Sequence, residues 1–162
     1  MTAPVSVAPA ATGLISSNVR TLFPGYFAMV MATGIIAIGA AQQDLAWLAE
    51  ALYLVAAGAY AVLAVLLVWR LAIAPALVAA DITSHAKGFA FLTTVAATNV
   101  LGSASAVVHG WWTLAWVLWW ISLALWLVCL YSTLFAVVLK GPKPDLGHGI
   151  NGTWFLLTVA TE

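Results

Sequence analysis

The chain has 162 residues, 65% of them hydrophobic and 6% charged, with nine tryptophans, no net charge and a mean hydropathy of +1.09. Soluble domains carry roughly a quarter charged residues and about half apolar ones, so this composition excludes a water-soluble globule. Five Lys and Arg against five Asp and Glu leave no basic field to hold nucleic acid, and a single cysteine, Cys129, excludes a disulfide framework or thiolate metal site within one chain.

Residues 1–19 are rich in Ala, Pro, Ser and Thr and lack the basic start of a secretory signal; Arg20 is the first cation. They read as a disordered cytoplasmic tail, with residues 20–162 as a transmembrane domain. A helix needs about 20 apolar residues to cross a hydrocarbon core roughly 30 Å thick. The uncharged stretches 21–43, 51–69, 88–139 and 146–161 therefore predict spans at 23–42, 48–70, 88–108 and 111–139, and a fifth beginning at 150. Pro24 suits the first turn of span one, Gly110 breaks the long third stretch, and Gly141, Pro142 and Pro144 stop span four. The fifth span has about 13 residues, or roughly 20 Å, before Glu162, so the chain reads as an N-terminal fragment that stops inside a helix. A membrane barrel would show alternating segments of about ten residues, and these runs are continuous. The expected fold is all-α: a polytopic membrane helical bundle of four transmembrane helices plus the start of a fifth.

With the N-terminus cytoplasmic, Arg20, Arg70, Lys87, Lys140 and Lys143 all fall inside, and Asp44, Glu50 and His109 fall outside. All five basic residues then obey the positive-inside rule; the expected location is the cell (cytoplasmic) membrane, multi-pass, with the N-terminus cytoplasmic.

No HExxH, GxSxG or phosphate-loop pattern occurs, so no catalytic residue, metal or cofactor is expected. Asp81 precedes His85 by four residues and Asp145 precedes His148 by three. Both pairs read as solvated loop residues. The polar groups inside the spans are small and neutral: Thr33 and Gly34 in span one, Thr93, Thr94, Thr98, Asn99 and Ser103 in span three, and Thr153, Thr158 and Thr161 in span five. Spans two and four carry bulk instead, including Trp111, Trp112, Trp116, Trp119, Trp120 and Trp126, a lipid-facing and interfacial belt. That asymmetry predicts an inner set of odd helices and an outer set of even ones. Neutral hydroxyls and amides hold an anion weakly enough to let it pass, and they also serve as helix–helix glue. Ala28 with Ala32, and Ala57 with Ala61, have the small-xxx-small spacing of a packing seam.

Three segments carry a resemblance. FPGYFAMVMATGIIAIG (residues 23–39) resembles the first helix of the tellurite-resistance and C4-dicarboxylate transporter family, which includes slow-type anion channels and malic acid transport proteins. FAFLTTVAATNVLG (89–102) resembles its third helix, and NGTWFLLTVATE (151–162) the start of its fifth. The resemblance implies ten helices in five hairpins around a pore, with odd helices inside, and association as trimers in the lipid bilayer. It further implies a small anionic substrate, malate-like or tellurite-type, and a pathway lined by Thr33, Gly34, Thr94, Thr98, Asn99 and Thr158. Glu162, as an intramembrane carboxylate costing about 2.5 to 3.5 kcal/mol at the bilayer centre, would be a proton-coupling group. The alternative expectation is a non-transporting membrane assembly subunit or an inactive truncated remnant.

Overall fold

The computed structural model describes residues 22–84 and 87–139. The tail, the fifth span, His85, His148, Thr158 and Glu162 lie outside the described residues.

A 3-10 turn at Pro24–Tyr26 leads into α1 (Phe27–Gln42), and a short turn through Asp44 (φ 59°) leads into α2 (Ala46–Ile73). Pro75 then opens α3 (Pro75–Ile82) as its first residue, where a missing N–H is tolerated. A second 3-10 turn, Gly88–Phe91, starts α4 (Leu92–His109), and α5 (Trp112–Leu139) follows. Gly110 adopts φ 71° after α4, with Trp111 N–H bonded 3.1 Å to Ser105 O. Gly110 N–H also bonds Ala106 O at 2.9 Å, and a left-handed glycine with this five-to-one bond is a common way for a helix to end. Four segments, Pro24–Gln42, Ala46–Ile73, Gly88–His109 and Trp112–Ala136, are long and apolar enough to cross a membrane, so the chain is an all-α, multi-pass membrane bundle. The four long apolar helices are those of the expected all-α bundle, and the short α3, expected as loop, is an additional element.

Burial is uneven. In the most apolar stretch of the third segment, which contains α4, 72% of residues are buried, against 33% in the first segment and 17% in those of α2 and α5. α4 is thus the central helix, packed by α1, α2 and α5. Its small residues let the neighbours close in: Ala97 joins Phe27, Val30, Ala56 and Leu63, and Ala104 joins Ala37, Tyr53, Leu101 and Leu118. The seam runs through Ala37, Ala40, Ala49 and Ala56. Ala32 and Ala61, half of the small-residue pairs expected to form it, are exposed. Small spacing alone cannot choose a face in an alanine-rich helix.

The end that carries Arg70 is built from polar parts. Arg70 is 2% exposed; its Nη1 donates to Leu22 O at 2.8 Å and its Nη2 to Asp81 Oδ2 at 2.5 Å. Lys87 Nζ reaches Asp81 Oδ1 at 3.2 Å. One guanidinium therefore joins the lead-in to α1, the end of α2 and the end of α3. Burial pushes the Asp81 carboxyl up, but the hydrogen bonds and charges of Arg70 and Lys87 outweigh it and hold the carboxyl below its usual range. Gly88 sits where a Cβ would collide with Ile82 O, so only glycine lets the second 3-10 turn tuck under α3.

Candidate functional site

The polar side chains of α4 divide between two faces. On the face toward α2, hydroxyls are tied to backbone carbonyls. Thr94 Oγ1 donates to Phe91 O at 2.6 Å, Thr98 Oγ1 to Thr94 O at 2.6 Å, and Ser105 Oγ to Leu101 O at 2.7 Å. Two tyrosines of α2 meet them: Tyr60 Oη lies 2.9 Å from Thr98 Oγ1, and Tyr53 Oη lies 3.0 Å from Ser105 Oγ. With the Thr98 and Ser105 hydrogens committed to carbonyls, the tyrosines donate and every oxygen is satisfied. Tyr53 and Tyr60 are seven residues apart, as are Thr98 and Ser105. Two antiparallel helices at two-turn spacing bring both pairs into register. Those matched intervals were a readable signal in the sequence, and they fix how α2 docks on α4. Thr93, also buried, lies 2.9 Å from Pro24 O and 2.6 Å from Ala90 O, tying the lead-in of α1 to the start of α4.

The other face is open. Asn99 and Ser103, one turn apart, line a groove of about 440 Å³ between α4 and α5, with Trp112, Trp116 and Trp119 on its far wall. Gly102 floors it; a Cβ there would lie 3.3 Å from Leu118 Cβ, so its lack of a side chain keeps the two helices close. Trp126, grouped in the sequence with the tryptophan belt, instead packs inward against the cluster of Val78, Phe89, Phe91, Leu92, Val95 and Cys129.

On α1, Gly34 is buried, and the Val100 side chain occupies the space a Cβ would take, 2.7 Å away. Gly34 thus seats α1 on α4 one residue beyond Asn99. Thr33 beside it donates to Met29 O at 2.8 Å and is half-buried. The described members of the expected pathway therefore sort in space. Gly34 and Asn99 stand at one level of α4, Thr98 turns toward Tyr60 of α2, and Thr94 is buried with its hydroxyl on Phe91 O. Among the described residues, Asp, Glu, Lys and Arg lie only in connections or within about a turn of a helix end, so the middle of the bundle presents neutral donors alone. No three His, Cys, Asp or Glu side chains converge as a metal site among the described residues.

The family model for voltage-dependent anion channels matches residues 21–162. The chain belongs to the voltage-dependent anion channel family. No curated protein and no solved structure is significantly similar to it. Membership in an anion channel family agrees with the electrostatics of the middle of α4: amide and hydroxyl dipoles, and no fixed cation that would trap an anion.

Sequence reasoning missed the Arg70–Asp81–Lys87 cluster, which it treated as solvated loop charge. It also missed the tyrosine partners on α2 and the stacking of His109 on Trp111.

Proposed function

We propose that this chain contributes to a pathway for small anions across the cytoplasmic membrane, with the N-terminus on the cytoplasmic side. The substrate class is the C4-dicarboxylates, malate-like, or related tellurite-type oxyanions. The observation that carries this reading is the uncharged but polar open face of α4, Asn99 with Ser103, on the central helix of an anion-channel family member. An amide N–H and a hydroxyl donate to an anion as it passes and release it without an opposing charge to break. Asn99 is the direct contact. Gly34 seats α1 beside it, Thr98 holds α4 in register with α2 through Tyr60, and Thr33 and Thr94 add further hydroxyls along the same pathway. Thr158 and Glu162 extend the pathway, with Glu162 as the proton-coupling group, and the assembly is a trimer in the bilayer.

Reconstituted proteoliposomes offered malate, sulfite, tellurite and chloride provide the test. Asn99→Ala is expected to lower flux of the preferred anion about tenfold, the worth of one hydrogen bond to a charged group. Wild-type flux in both Asn99→Ala and Ser103→Ala would remove the site assignment. Absence of flux for every anion, from protein that is folded and oligomeric, would favour a non-transporting assembly subunit.

A further inference from the structure

At the end of the bundle that carries Arg70, α3 presents a surface that the anion pathway does not use. Ala74, at φ −147° and ψ 56°, breaks the helix between Ile73 and Pro75, so α3 is a separate piece between α2 and the membrane-spanning segment that opens at Gly88. One side of α3 is buried: Val78 is 2% exposed and joins Phe89, Leu92 and Cys129 in the core. The other side is Pro75, Ala76, Leu77, Ala79 and Ala80, all exposed and all apolar. At about 100° per residue these five fill one continuous arc of the helix. The polar side chain of α3, Asp81, is drawn inward to Arg70 and Lys87. A connection that met water would turn its charged group out and its leucine in.

We propose that α3 is a foot on the membrane surface: its apolar arc rests in the boundary between headgroups and acyl chains, and Lys87 beside it takes the phosphate of an anionic phospholipid. The exposed side of α2 runs into this arc through Leu71 and Ile73, and Trp69, also exposed, marks the level where indoles sit at a membrane–water boundary. Arg70 and Lys87 share the one carboxylate of Asp81. The other described carboxylates, Asp44 and Glu50, lie at the opposite end of the bundle, so this corner keeps a positive charge without a partner of its own. Lys87 is 52% exposed and has three N–H donors; Asp81 Oδ1 takes one and leaves two for a phosphate. Cations at the end of a membrane span are where anionic lipids gather. The arc and the cation together select a molecule with an acyl part and an anionic head, whereas a free phosphate ion would use only the cation.

Thermal midpoints of the detergent-solubilised full chain, with added phosphatidylglycerol, phosphatidylcholine or inorganic phosphate, test the headgroup contact. Phosphatidylglycerol is expected to raise the midpoint above that in phosphatidylcholine, inorganic phosphate to leave it unchanged, and Lys87→Gln to remove the difference between the two lipids. Each variant is compared with itself in the two lipids, so any cost of losing the Lys87–Asp81 contact cancels. Equal midpoints in the two lipids, a difference kept in full by Lys87→Gln, or one reproduced by inorganic phosphate would overturn the lipid assignment. The apolar arc is read from a bimane attached at Leu77→Cys in a Cys129→Ala background, in phosphatidylcholine vesicles containing phosphatidylglycerol. Quenching by a lipid with a nitroxide near its headgroup is expected. Quenching by aqueous iodide alone, or protection from both quenchers, as a second copy seated on α3 would give, would overturn the foot. Neither readout involves transport, so both stand apart from the anion-pathway reading.

Discussion

Arg70 shows how one side chain joins parts of the chain that are distant in sequence. A guanidinium carries donors in a planar fork and cannot shed its charge, so burying it at 2% exposure requires acceptors on several sides. Leu22 O and the Asp81 carboxylate are two of them. Removing one partner of a buried pair leaves a charge without compensation, a loss of about 3 to 5 kcal/mol when both partners are fully buried. Asp81 keeps 18% of its surface in solvent, so Asp81→Asn is expected to destabilise by roughly 2 kcal/mol, read as a lower thermal midpoint at pH 7. Because the Asp81 carboxyl is held below its ordinary value of 3.8, its contribution is complete above that value and disappears as pH falls through the folded-state value. Wild type and variant should therefore converge in strongly acid solution. A gap that persists there would show that Asp81 acts through packing and not through charge.

At the scale of the element, α4 sets the pattern for its neighbours. Its end is defined by Gly110 at φ 71°, where a Cβ would meet no other atom. Gly110→Ala is therefore strained by backbone conformation alone, and a loss of about 1 kcal/mol is expected. Gly39→Ala, inside α1 with equally open space and helical backbone, is expected to be neutral or stabilising by up to about 1 kcal/mol. Thermal midpoints of the two variants should move in opposite directions; a shared direction would mean that the conformation of Gly110 is not what ends the helix.

The same helix shows what was legible in the sequence. Span positions followed from the charge-free runs, and helix ends from Pro24, Gly110 and the absence of charges. Facing did not follow. α4 carries small polar residues on both its α2 side and its open side, so no single stripe distinguishes the two, and Thr98 and Asn99, adjacent in sequence, point to different surroundings. Only the matched spacing of Tyr53 and Tyr60 with Thr98 and Ser105 carried that information. α3 escaped notice because its eight residues are too few to show a period, and Arg70 because its burial depends on Asp81, which another element brings to it.

For the whole molecule, the two ends differ in kind. Arg70, Asp81 and Lys87 gather at one, and Asp44, Glu50 and His109 at the other. The basic end should face the cytoplasm. In a Cys129→Ala background, a membrane-impermeant maleimide is expected to label Asp44→Cys in intact cells and Lys87→Cys only after permeabilisation. The reverse pattern would invert the topology.

The helices also differ in length. α2 and α5 each have 28 residues, about 42 Å at 1.5 Å per residue, and α1 and α4 with their 3-10 lead-ins, 19 and 22 residues, are about two turns shorter. A hydrocarbon layer of about 30 Å matches the short pair and is overshot by the long one. The longer helices are accommodated by tilting, by kinking, by local thickening of the bilayer or by reaching into the headgroups. Bilayer thickness therefore bears most on α2 and α5, and the Tyr53–Ser105 and Tyr60–Thr98 hydrogen bonds are what tie the first of these to α4.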